Sequence, residues 1–219
     1  MEQCLDQLGI TGVPLLVLTH FHADHVDGLR GVWAGRTVGQ VWVSPLAAPA
    51  YEAVAVAGLA AQHRTPVSTP APGQHAQVGE LHLQVIGPVR AQPPEAAESS
   101  VENDSSLVLM ATAGGVRLLL TGDVEPPGQR AIVASGVDLR AQVLKIPHHG
   151  SARQEPAFFA ATGASVAIAS AGVDNDYGHP APRTVQLARS LGMTVLQTDV
   201  HGGVAVTRRG DQLGVVTQR

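Results

Sequence analysis

A chain of 219 residues, 44% of them hydrophobic, suits one domain with a substantial core. Aromatic residues are only 3%, so that core must be aliphatic, and a single cysteine excludes a disulfide framework. A formal charge of −4 with no run of Lys or Arg excludes strong non-specific capture of a phosphate backbone by this chain alone.

No segment approaches the ~20 apolar residues that cross a bilayer. Met1 to Asp6 lacks the basic and apolar regions of a signal peptide, so the chain is expected to be soluble without an address of its own. Residues 2 to 9 read as a short helix closed by Gly9. Leu15 to Leu18 is a buried strand that runs into His20, His22, Asp24 and His25, after which residues 25 to 34 carry a helical pattern. Gln40 to Ser44 is the next strand, and Pro49 opens an Ala-rich helix to about Gln62. Pro66 to Gln77 reads as loop and residues 80 to 85 as a half-buried strand, which puts His82 on its wet face, His63 at a helix end and His75 in a loop.

Residues 88 to 102 form a loop rich in Pro, Ala and Glu. Two apolar strands, 105 to 112 and 116 to 121, are joined through Ala113-Gly114-Gly115 as a hairpin that ends in Thr121-Gly122-Asp123, and a helix begins at Pro126. Strand 141 to 146 leads into Pro147-His148-His149-Gly150-Ser151, and strand 164 to 170 leads towards Asn175-Asp176-Tyr177-Gly178-His179-Pro180. A helix over 181 to 191 and strands at 193 to 198, 203 to 208 and 213 to 217 complete an α/β succession whose polar clusters fall at strand ends.

The chemistry concentrates at the first of these ends. Side chains alternate along an extended segment, so His20 and His22 point the same way and one ion can take both imidazoles. Asp24 and His25 stand where the chain turns into helix, placed to reach a second ion. Imidazole and carboxylate donors suit zinc, manganese or iron. Asp123, read alone, is an N-cap for the following helix. His179, read alone, serves equally well as a turn residue between Gly178 and Pro180.

Residues 20 to 25 match His-x-His-x-Asp-His, and the chain thereby resembles the metallo-β-lactamase superfamily. That resemblance implies an αββα sandwich with a metal centre at one edge of the two sheets. Thr19 to Gly28, Asn103 to Leu109, Leu119 to Asp123, Leu144 to Ser151, Asn175 to Pro180 and Thr198 to Gly203 follow the order and spacing of the metallo-β-lactamase domain of ComEC-type DNA-uptake proteins. The resemblance covers residues 1 to 219 as one domain and implies an extracytoplasmic nuclease domain of a membrane channel, and the net charge of −4 argues that DNA is delivered to it rather than captured.

The same resemblance implies two divalent ions, zinc or manganese, about 3.5–4 Å apart. His20 and His22 would hold one, Asp24, His25 and His148 the other, and Asp123 would bridge them. Asp24 and His179 are implied as catalytic, His179 by contacting the phosphate or protonating the leaving oxygen, and His149, Ser151, Asn103 and Ser105 as substrate contacts. Nothing before Leu15 matches the family's opening Asp-Val-Gly-Gln-Gly-Asp-like strand, so the first sheet is expected to lack its N-terminal strands. The rival expectations are hydrolysis of a small ester, thioester or lactone by the same ligands, and an inactive fragment.

Overall fold

The computed structural model describes residues 1–89, 99–210 and 212–219. Its main sheet has seven strands in the order Thr194–Gln197, Val166–Ala169, Val143–Lys145, Val116–Leu120, Val108–Ala113, Leu81–Gly87 and His75–Val78. The first four run parallel and the rest pair antiparallel. A second, parallel sheet is built from Leu16–Leu18, Val41–Val43 and Val67–Ser68. Two further pairs complete the strands, Gly12–Val13 with Thr37–Val38 and the hairpin Val204–Arg209 with Gln212–Thr217.

Side-chain alternation sorts these strands into layers. In the main sheet Val108, Met110, Leu119, Leu144, Ala167 and Val195 face a core that includes Ile132, Phe158, Phe159 and Val185, from the helices Pro126–Ala134, Pro156–Thr162 and Pro182–Ser190. Val85, Leu107 and Leu109 face the other way, onto Trp42 and Val17 of the small sheet. Leu16, Leu18, Val41 and Val43, one residue out of phase, turn outward to Val26, Val32, Trp33, Val56 and Ala60 of the helices beyond. The order is therefore helix, sheet, sheet, helix. Over the parallel half of the main sheet, Val143, Val166 and Leu196 are covered instead by Val204, Val206 and Leu213 of the C-terminal hairpin. Leu119 and Leu144 are fully buried, so truncating either to Ala costs about 2–5 kcal/mol.

Most expected elements form within a few residues of their predicted bounds. The helix expected over 25 to 34 is two short ones, Ala23–Val26 and Arg30–Trp33, broken around Gly28. His75 lies in a strand rather than a loop, because the antiparallel partner Leu81–Gly87 gives the polar stretch a ladder that its composition does not announce. Pro156–Thr162, which had no expectation, is a helix capped by the Glu155 carboxylate accepting from the Ala157 N–H, a cap hidden behind two prolines and a polar loop in the sequence. Of the loop expected over 88 to 102, residues 90–98 lie outside the described residues, and Val101–Asp104 is a helical turn capped by Ser100.

Candidate metal centre

The polar clusters of three strand ends meet at one edge of the sandwich. The strand Leu16–Leu18 delivers His20 and His22, whose Nε2 and Nδ1 lie 3.1 Å apart. The next turn begins at Ala23 and carries Asp24 and His25. Val116–Leu120 delivers Asp123, which is almost wholly buried, and Val143–Lys145 delivers His149. Asp24, His25, Asp123 and His149 each offer a ligand atom within 4.8 Å of the others. The Nε2 atoms of His25 and His149 stand 3.2 and 3.1 Å from Asp123 Oδ2, and 3.3 Å from each other. Asp24 Oδ2 lies 3.3 Å from His149 Nε2 and 3.5 Å from His25 Nε2.

These donors fit a cation. Two carboxylates brought this close to two imidazoles call for a positive charge among them, which a protonated His149 supplies in the free protein and a metal ion would supply in its place. Donors about 2.1 Å from one tetrahedral ion lie about 3.4 Å apart, which matches the spacings here. The remote nitrogens are arranged to the same end. His149 Nδ1–H donates to the Ser170 carbonyl at 2.8 Å, leaving Nε2 towards the cluster. Thr19 Oγ1 lies 3.1 Å from His20 Nδ1 and 3.4 Å from His25 Nδ1, so one hydroxyl orients both rings.

The electrostatics follow from this crowding. His20 is fully buried, and burial, reinforced by His25, pushes its imidazole down to about 3, so it stays neutral. His149 goes the other way, up to about 9, because Asp123 and Asp24 hydrogen-bond its protonated ring. Burial alone would raise the Asp123 carboxyl, but bonds from His149 and His25, with the Lys145 ammonium nearby, hold it far below the usual range. Lys145 Nζ donates to the Gly122 carbonyl at 2.8 Å and lies 3.4 Å from Asp123 Oδ1. Ser106 Oγ accepts the Asp123 N–H at 3.1 Å.

Backbone conformation sets the aim of these residues. Gly122 has φ +53°, and a Cβ there would lie 2.7 Å from Ser106 Cβ and 2.9 Å from Thr19 Cβ, so only glycine lets the strand turn Asp123 inward. His148 and His149 are both left-handed, at φ 48° and 52°, and Gly150 follows at φ +86°. Such a run is strained for residues with side chains and clusters at functional sites.

Not every expected residue arrives at the cluster. Asp24, His25 and Asp123 meet in the cluster, and His20 adjoins it with its ring 4.1 Å from that of His25 and His22 beside it, whereas His148 turns away, its Nδ1 3.5 Å from Glu125 Oε1 and its ring 5.7 Å from that of His179. His149 occupies the position at the donor cluster that had been expected for His148. The consecutive left-handed residues exchange the two directions, an outcome that strand alternation does not anticipate. Asn103 is buried and donates to Glu125 Oε1 at 2.8 Å. Ser105 is buried against Ser44 and donates to the Glu102 carbonyl. Ser151 is buried too, its hydroxyl donating to the Arg153 carbonyl at 3.3 Å and its own carbonyl accepting from Thr184 at 2.6 Å. These three side chains brace the loops instead of facing an open cleft. His179 does line one, a cavity of about 410 Å³ that it shares with Asp24, His149, Asn175, Tyr177 and Thr198. Ser106, Glu125 and Lys145 had no expected role, since their partners come from distant strand ends, and Thr19 had none although its partners His20 and His25 are close in sequence. His82 is exposed on its strand, as expected.

No family model matches the chain. A solved metal-dependent hydrolase of the β-lactamase superfamily superposes with a TM-score of 0.54 at 12% identity, over 89% of this chain and 80% of that one. The chain has the metallo-β-lactamase fold. ComE operon protein 3 of Bacillus subtilis is 30% identical over 199 residues, 90% of this chain and 25% of that protein. Competence protein ComA of Neisseria gonorrhoeae is 35% identical over 113 residues, 51% of this chain and 16% of that protein. The chain thus resembles ComEC-type competence proteins and spans about a quarter of the first and a sixth of the second. Among the described residues no helix is long and apolar enough to cross a membrane.

Proposed function

We propose that residues 1 to 219 form one metal-dependent phosphodiester hydrolase domain of nuclease type, working within a larger DNA-uptake protein on the outer face of a bacterial membrane. The observation that carries the proposal is the grouping of Asp24, His25, Asp123 and His149 beside an open cavity, with His20 and His22 adjoining it, in a chain similar over most of its length to a ComEC-type protein. His20 and His22 would hold one divalent ion and Asp24, His25 and His149 a second, with Asp123 between them. The donor set, imidazole and carboxylate without thiolate, suits zinc or manganese. When bound, such ions supply Lewis-acid stabilisation of a phosphate and a nucleophile from water at neutral pH.

The chain's own groups supply the rest. Lys145 would hold the Asp123 carboxylate from behind and Ser106 its backbone N–H, so the side chain would keep its orientation as substrate enters. Asp24 is the exposed member of the cluster, and in the metal-free protein hydrogen bonding from His149 keeps it ionised; it would accept a proton from the attacking water. His179 lines the same cavity with its Nδ1 buried and unpartnered, and burial lowers its pKa. Its imidazole is placed to hydrogen-bond a phosphate oxygen or the departing oxygen. DNA would reach the site weakly, delivered by the channel portion of the parent protein, in keeping with the charge of −4.

The test is turnover of bis(p-nitrophenyl) phosphate and of labelled single- and double-stranded DNA with manganese, with zinc and with chelator. Metal-dependent cleavage of the phosphodiesters is expected. Equal background in all three, with efficient thioester or lactone hydrolysis, would transfer the site to small-molecule chemistry.

A further inference from the structure

Tyr177 is 84% exposed in a chain with few aromatic residues, and it stands on the wall of the cavity that reaches Asp24 and His149. Its ring is stacked on His179, centroids 6.0 Å apart and planes 26° from parallel, which leaves most of the Tyr surface open. The loop that carries it is braced. Asn175 Nδ2 donates to the Gly172 and His179 carbonyls at 2.8 Å each, and the His179 N–H donates to Asn175 Oδ1 at 2.9 Å. The loop is tied to the strand end beside it through Thr198, whose hydroxyl bonds both the N–H and the carbonyl of Ala171 at 2.8 Å. The backbone that carries the aromatic pair is therefore tied down beside the cavity it shares with Asp24 and His149.

Exposed Asp174 and Asp176 flank the tyrosine and would repel a phosphate, whereas an uncharged aromatic face suffers no such penalty. The cavity, at about 410 Å³, falls in the size range of small-ligand sites. We propose that Tyr177 is the stacking platform for a nucleobase of a single-stranded substrate, seating the base while the adjoining phosphate lies at the donor cluster. This rests on the phosphodiester reading above and names its substrate as an unpaired strand, since a base within a duplex has no free face to offer. Stacking of this kind tolerates any base, so it would give affinity without sequence preference.

The experiment compares two cleavage-resistant phosphorothioate strands of equal length and charge, one of thymidines and one abasic, binding to manganese-loaded protein by fluorescence anisotropy. Wild-type protein is expected to bind the thymidine strand roughly 10-fold more tightly, Tyr177→Ala to bind both alike, and Tyr177→Trp to keep the preference. Equal binding by the wild type, a preference that survives in Tyr177→Ala, or binding of neither strand would overturn the proposal. Turnover of bis(p-nitrophenyl) phosphate, measured alongside, separates the two ideas. Its absence defeats the hydrolase reading, while the strand comparison still decides whether Tyr177 reads a base.

Discussion

Two loops supply ligands to the same cluster by different means. From Thr19 to His25 the backbone stays in ordinary regions, with His22 extended at φ −60°, ψ 149°, and strand alternation followed by a helical turn aims the donors. From Pro147 to Ser151 the chain instead takes three left-handed residues in succession, and the second of them points His149 at Asp123. The first loop spends no strain and its ligands can be read from spacing. The second stores strain, and its ligand can be read only from the folded backbone.

The sharpest way to break this comparison is to remove the residue on which both loops converge. Asp123→Ala is expected to lower hydrolysis by more than the ~100-fold that loss of an outer-shell partner brings, with a parallel fall in bound metal by elemental analysis. Retained activity would show that the cluster is not the reaction centre. Next come the neighbours within the strained loop. His149→Ala should weaken metal binding by at least about 100-fold, whereas His148→Ala should cost about 10-fold or less, both read by competition with a chromophoric chelator. The reverse order would mean that the loop changes conformation when metal binds.

Proton competition gives a smaller, graded effect. His149 keeps its proton up to about 9 in the metal-free protein, so an ion must displace that proton. Apparent metal affinity is therefore expected to fall as pH drops from about 9 towards 7, by about tenfold per pH unit for one displaced proton. A flat profile between pH 7 and 8.5 would remove His149 from the ligand set. Gly122→Ala tests the one strained position that serves the first loop's neighbour, since its Cβ meets both Ser106 and Thr19. Urea unfolding should show a loss of about 1–3 kcal/mol from the left-handed backbone alone. His82→Ala, on an exposed strand face, should leave metal content and stability unchanged within about 0.5 kcal/mol.

The sequence by itself determined what depends on local periodicity. The α/β succession, most strand bounds, and the joint aim of His20 and His22 follow from alternation over a few residues, which neighbours in space do not alter. His82 on a wet strand face was legible for the same reason. The tertiary structure decided whatever depends on groups far apart in the chain. Asp123 is an N-cap candidate on local evidence and joins the donors only because Val116–Leu120 ends beside Leu16–Leu18, with Leu107 N–H bonded to the Thr19 carbonyl across the two sheets. Asn103 and Ser105 are polar residues in a loop by sequence, yet burial commits them to Glu125 and Ser44. The exchange of His148 for His149 was invisible for a further reason. A left-handed φ at two non-glycine residues is unfavourable in isolation, and only the packing on either side holds it, with His149 bonded to Ser170 and Pro180 closed over Gly150.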